Sequence, residues 1–168
     1  MLDSSGRPVG AAAKLAAHEP PGLLHSAFSV FIRDSEGRHL VQRRAPGKYH
    51  FAGMWANACC GHPAPGVTSP VAARLRLEQE MGIAVYLSHV GTFTYRAIDS
   101  VSGLVEHERD EIYAGVHDTD PHPDTGEVEA WEWVEPDELA RRMASEPESF
   151  APWLTIAFHA FPQLLTTG

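Results

Sequence analysis

Residues 24–33 carry Leu24, Ala27, Phe28, Val30, Phe31 and Ile32 and read as a mostly buried strand. Asp34-Ser35-Glu36-Gly37 ends it in a turn signal, and His39–Arg43 returns as the second arm of a hairpin. A short strand is expected from Trp55 to Ala58. Ser69 then suits an N-cap, Pro70 the first turn and Gly82 the C-terminal stop of a helix over 70–81. Residues 83–85, 90–97 and 104–116 read as strands, and 128–134 alternates with Trp131 and Trp133 on one side. Pro136–Ala144 predicts a short helix. From Pro152 onward the apolar positions Trp153, Ile156, Ala157, Ala160, Phe161 and Leu164 keep helical spacing. Glycines and prolines make residues 1–22, 45–54 and 117–127 read as loops. The fold class expected is α/β in the α+β sense: mostly antiparallel hairpins with flanking helices, not repeating βαβ units.

Length and charge narrow the picture. The 168 residues fit one domain over 1–168, long enough to bury a core. No apolar run approaches the ~20 residues of a membrane span, and no secretory signal opens the chain. The net charge of −9 is a poor match for nucleic acid, although a few placed cations can still bind a small anion. Two adjacent cysteines, Cys59 and Cys60, exclude a disulfide framework beyond a strained vicinal bond and suit the cytoplasm. Nothing demands an assembly beyond a monomer or weak homodimer.

Chemistry concentrates in Asn57-Ala58-Cys59-Cys60-Gly61-His62-Pro63, where a thiol stands two residues from an imidazole. On a strand, Glu106 and Glu108 share a face and His107 takes the other. Two like charges so placed repel unless a cation lies between them, although a solvated strand face is the plainer explanation. His18, His25 and His62 would complete a His3Glu2 shell of the kind that suits Zn, Mn or Fe better than Ca, provided these segments meet in space. Cys60 reads either as a small buried hydrophobe or as an acid/base thiol. Arg76 and Glu80, spaced i, i+4, are either a surface pair or a phosphate-and-cation site. Lys14, Arg44 and Lys48 are further cations near these segments. Tyr95, Phe51, Trp55 and Trp153 are core residues or walls of a pocket whose π faces stabilise a cation.

The ordered set K-x-A-A-H (Lys14–His18), L-H-x-A-F-S (Leu24–Ser29), R-R-A (Arg43–Ala45), W-x-N-x-x-C-G-H-P (Trp55–Pro63), E-x-G (Glu80–Gly82), Y-R-A (Tyr95–Ala97), G-x-V-E-x-E (Gly103–Glu108) and Pro152-Trp153 resembles the type I isopentenyl diphosphate isomerases, a branch of the Nudix fold. The resemblance spans nearly the whole chain. It implies a Nudix-type fold and one divalent ion (Mn2+, Mg2+ or Zn2+) held by His18, His25, His62, Glu106 and Glu108. It implies Cys60 and Glu108 as acid/base groups on opposite faces of a prenyl diphosphate, with Tyr95 assisting Glu108. It also implies Mg2+ on Glu80 bridging to the diphosphate, Lys14, Arg44, Lys48 and Arg76 on its oxygens, and Trp153 against the reacting carbons.

Two departures qualify the resemblance. Against the hydrolytic Nudix signature, Val67, Leu75, Arg76 and Gln79 stand where Glu, Arg, Glu and Glu are required, and only Glu80 of the acidic cluster survives. Loss of that cluster argues against hydrolysis. Phe51-Ala52 replaces a Trp-Pro common in bacterial isomerases of this type, which leaves another prenyl-type diphosphate as an alternative substrate. The remaining alternatives are Nudix-type diphosphate hydrolysis and an idle metal- or partner-binding relative.

Overall fold

A computed structural model describes residues 1–165. This segment folds as β1 (His25–Arg33), and its central position in the sheet explains why it is buried on both faces. β1 pairs in parallel with β6 (Val105–Val116), His25 opposite Glu108, and antiparallel with β4 (Cys59–Gly61), Ser29 opposite Cys60. β5 (Ser88–Ile98) continues the sheet antiparallel to β6. On the other side, β2 (His39–Arg44) joins β1 through the expected turn, and β3 (Trp55–Asn57) and β7 (Val128–Val134) flank β2. Hairpins dominate, as the pattern predicts, but the central β1–β6 pair is parallel and links strands about eighty residues apart.

Helix α2 (Ser69–Met81) packs on β4 and β1 and ends at Gly82. Gly82 adopts a φ of 68°, and a Cβ there would meet the His122 carbonyl oxygen at 3.0 Å. The N-cap falls on Thr68, one residue before the expected Ser69. Ala73, Leu77 and Met81 bury one stripe of α2 in a core with Phe28, Val30 and Ile32, against which Trp131 and Trp133 both pack. A second core gathers Phe31, Val41 and Ile112 beneath α3 (Pro136–Ser145) and α4 (Pro152–Ala160), the two expected C-terminal helices.

Two expectations fail. Lys14–His18 forms a short helix, α1, inside a segment read as loop, because its Ala- and Leu-rich stretch outweighs the surrounding Gly and Pro. Residues 83–85 form no strand: Ile83 is buried against the first core, but the segment pairs with no neighbouring strand among the described residues.

Candidate active site

The parallel pairing of β1 and β6 builds the site. Residues 25, 27 and 29 of β1 face the same side as 106, 108 and 110 of β6 and Cys60 of β4. That face floors a cavity of about 940 Å³. Helix α1 covers it with His18, and the segment after β4 contributes His62. Gly61, between thiol and imidazole, packs against the Phe28 ring, where an added Cβ would come to 3.0 Å of Phe28 Cζ.

One ligand atom from each of His18, His25, His62, Glu106 and Glu108 lies within 4.8 Å of the others. The tautomers are set from outside the cluster. His18 Nδ1 donates to the Lys14 carbonyl and His25 Nδ1 to the Leu23 carbonyl, each at 2.7 Å. In the neutral rings both Nε2 atoms are therefore lone-pair donors turned inward. They are buried and have no hydrogen-bond partner among the described residues, and the same holds for Glu106 Oε2. His18 Nε2 faces Glu106 Oε2 at 3.0 Å, and His62 and His25 face Glu108 Oε1 at 2.7 and 3.4 Å. Inward lone pairs opposite carboxylates at 3–6% residual exposure are a donor set that fits a divalent cation. Burial opposes charge on Glu106, yet His18 and His50 together hold its carboxyl below the usual range.

Cys60 lines the cavity on the far side of β1 from Glu108. Burial pushes its thiol up to about 12, with Arg44 Nη1, 3.7 Å from Sγ, drawing it back. Burial thus favours the neutral thiol over the thiolate. Cys59 points the other way, into the first core. Tyr95 Oη donates to Glu108 Oε2 at 2.7 Å. Trp153 is buried, its Nε1 donating to Asn57 Oδ1 at 2.9 Å and its ring meeting Phe51 edge to face. The Arg44 guanidinium sits 5.3 Å from the Trp153 ring centroid.

The remaining cations gather at another wall. Arg76 Nε pairs with Glu80 at 2.6 Å and its Nη2 with Glu127 at 2.9 Å, and Lys48 bonds Glu127 and lies 3.9 Å from Glu80. Glu80, 2% exposed, is held behind these cations. Burial pulls the Lys14 ammonium below its ordinary value, with repulsion from Lys48 in the same direction.

A NUDIX domain model matches residues 23–154. The isopentenyl-diphosphate Delta-isomerase of Nocardia farcinica is 49% identical over 154 residues, which cover 92% of this chain and 88% of that protein. The Streptomyces griseus isopentenyl-diphosphate Delta-isomerase is 45% identical over 161 residues, covering 95% and 81%. The chain belongs to the isopentenyl-diphosphate Delta-isomerase family. Among solved structures, DR0079 of Deinococcus radiodurans superposes with a TM-score of 0.75 at 18% identity, covering 94% of this chain and 95% of that one. The MutT protein of Methanosarcina mazei does so with 0.68 at 16%, covering 86% and 96%. At such identities these two likenesses speak for the Nudix fold alone.

Within this isomerase-family site, sequence reasoning missed four residues. Asn57 orients Trp153, and Glu127 ties Lys48 to Arg76. Tyr49 stacks on His50, with Lys14 Nζ 5.0 Å from its ring centroid, and His50 donates to Glu106. Asn57 lies within the Trp55–Pro63 motif, and Tyr49-His50 adjoins the Phe51-Ala52 departure. Glu127, at the end of a polar loop, carried no signal of its own. Val67, Leu75 and Gln79, which depart from the hydrolytic signature, all line the cavity.

Proposed function

We propose that this chain interconverts isopentenyl diphosphate and dimethylallyl diphosphate, with Cys60 and Glu108 as the two proton carriers. The observation that carries the reading is that both groups open onto one cavity from opposite sides of β1. Moving the double bond requires a proton added at the terminal alkene carbon and one removed from the carbon next to the C–O carbon. The intermediate resembles a tertiary carbocation. An alkene is a very weak base, so the acid must be held close in a dry pocket. A thiol kept neutral by burial and a carboxylate oriented by Tyr95 serve the two faces. The Trp153 indole stabilises developing positive charge and has no lone pair in the ring face that would trap it.

His18, His25, His62, Glu106 and Glu108 would hold a divalent ion (Mn2+, Mg2+ or Zn2+) that fixes Glu108 and tunes its acidity when bound. Lys14, Arg44, Lys48 and Arg76 would anchor the diphosphate, and Glu80, which pairs with Arg76 and lies 3.9 Å from Lys48, would take Mg2+ once those cations turn to the diphosphate. For Arg44 this role competes with its bonds to the Cys60 thiol and to the His50 and Phe51 carbonyls.

Incubation with isopentenyl diphosphate and Mg2+ in D2O, followed by NMR, tests the proposal. Dimethylallyl diphosphate carrying deuterium is expected. Absence of both product and exchange, or activity undiminished in Cys60→Ala, would overturn it.

A further inference from the structure

Each of the two clustered carboxylates has one oxygen turned toward the histidines and one held from outside. For Glu108 the outer oxygen accepts from Tyr95. For Glu106 the outer oxygen, Oε1, accepts from His50 Nε2, while Oε2 faces His18. We infer that His50 is a positioning residue for the metal centre, bracing Glu106 so that one oxygen rather than two remains for a cation. The inference rests on the metal-dependent reading above and extends it to a residue outside the five-ligand set.

His50 is not a sixth ligand. Its Nε2 is taken by Glu106, and it stands outside the cluster of converging ligand atoms. It is buried and fixed from several directions. Its ring stacks on Tyr49 at 4.1 Å between centroids, and its carbonyl accepts from Arg44 Nη2 at 3.1 Å. The following residue, Phe51, has a φ of 47°, a strained value for a bulky side chain. Arg44 Nε on the Phe51 carbonyl and Asp99 Oδ2 on its amide hold that conformation, at 3.0 and 3.1 Å. A backbone so constrained aims the imidazole at one place. A carboxylate held by an outer donor keeps its orientation before the ion arrives, and loss of such a donor typically weakens metal binding by about 10–100-fold.

The test is Co2+ binding to the purified full chain, followed by its visible absorption and by chelator competition. His50→Phe keeps the stacked ring and removes the donor. His50→Gln restores a donor of similar reach. His62→Ala serves as the ligand-loss control, and thermal melts of the metal-free proteins establish folding. The expected result is Co2+ binding about 10–100-fold weaker in His50→Phe with an altered spectrum, partly recovered in His50→Gln. Adding His50→Phe to Glu106→Gln should cost nothing further. Wild-type affinity and spectrum in His50→Phe, with binding lost in His62→Ala, would overturn the brace and leave the metal reading standing. Failure of the wild-type chain to take up Co2+ would overturn the metal reading and the brace with it.

Discussion

Tyr95 Oη donates to Glu108 Oε2 at 2.7 Å, so the carboxylate meets His62 and His25 with its other oxygen. Burial raises the Tyr95 phenol well above its ordinary value, as does the charge of Glu108, so it stays a donor throughout the working pH range. Tyr95→Phe removes that donor alone. Turnover should fall by about 10–100-fold, with a stability loss of about 1 kcal/mol. Activity equal to wild type in the NMR assay would show that Glu108 needs no orienting partner.

Removal of metal should be visible without substrate. Two buried carboxylates then face each other across histidines with no cation between them. A ligand bound to the folded state alone adds about 3 kcal/mol at one hundred times its Kd, or roughly 5–10 °C in Tm at this size. Chelation should lower Tm by that order and abolish turnover, and Mn2+ or Zn2+ should restore both. A melting curve indifferent to chelator and ion would count against a loaded centre.

Glu127 occupies Lys48 and Arg76, two cations assigned above to the diphosphate. Glu127→Gln should leave them only their pairing with Glu80 and tighten binding of inorganic pyrophosphate several-fold in metal-free buffer, read by calorimetry. Weaker binding would mean that Glu127 holds the two cations in their working positions.

His39 gives a pH signature away from the site. It is 2% exposed, packed edge to face on Phe158, and burial together with Arg33 lowers its pKa from 6.5 to about 4. Between those values the unfolded chain takes up a proton that the folded chain refuses. The stability due to neutral His39 is therefore complete above 6.5 and is lost as pH falls toward 4. The full span is about 3 kcal/mol. His39→Phe keeps the ring contact and cannot titrate. In urea unfolding, the variant should gain about 2–3 kcal/mol relative to wild type on going from about pH 7 to about pH 4.5. A constant difference between the two proteins would remove His39 from the acid response.

Much of this architecture is legible in the chain because it depends on local pattern. The apolar residues of β1, the Pro70 and Gly82 bracket of α2 and the alternation of β7 all announce themselves within a dozen residues. Chemical type alone singles out the five cluster residues, and the resemblance groups them. Their convergence depends on the parallel β1–β6 register, a pairing across about eighty residues that no local signal encodes. Lys14–His18 does not read as helix because Gly and Pro around it speak more strongly than a five-residue run. Outer partners such as His50 and Asn57 are harder still. Their importance lies in what they touch, and nothing in Tyr49-His50-Phe51 indicates that Glu106 waits on the other side.

The adjacent cysteines, finally, diverge: Cys59 lies in the first core and Cys60 opens onto the cavity. Peroxide therefore meets a single accessible sulfur with no second thiol on its side of the strand among the described residues. A sulfenic acid formed there has no internal thiol on its own face to condense with, so its recovery depends on an external thiol. Because burial keeps the Cys60 thiol protonated, oxidation should be slow, and mass spectrometry after prolonged peroxide treatment should find any added oxygen on Cys60, with Cys59 unmodified and no bridge between them.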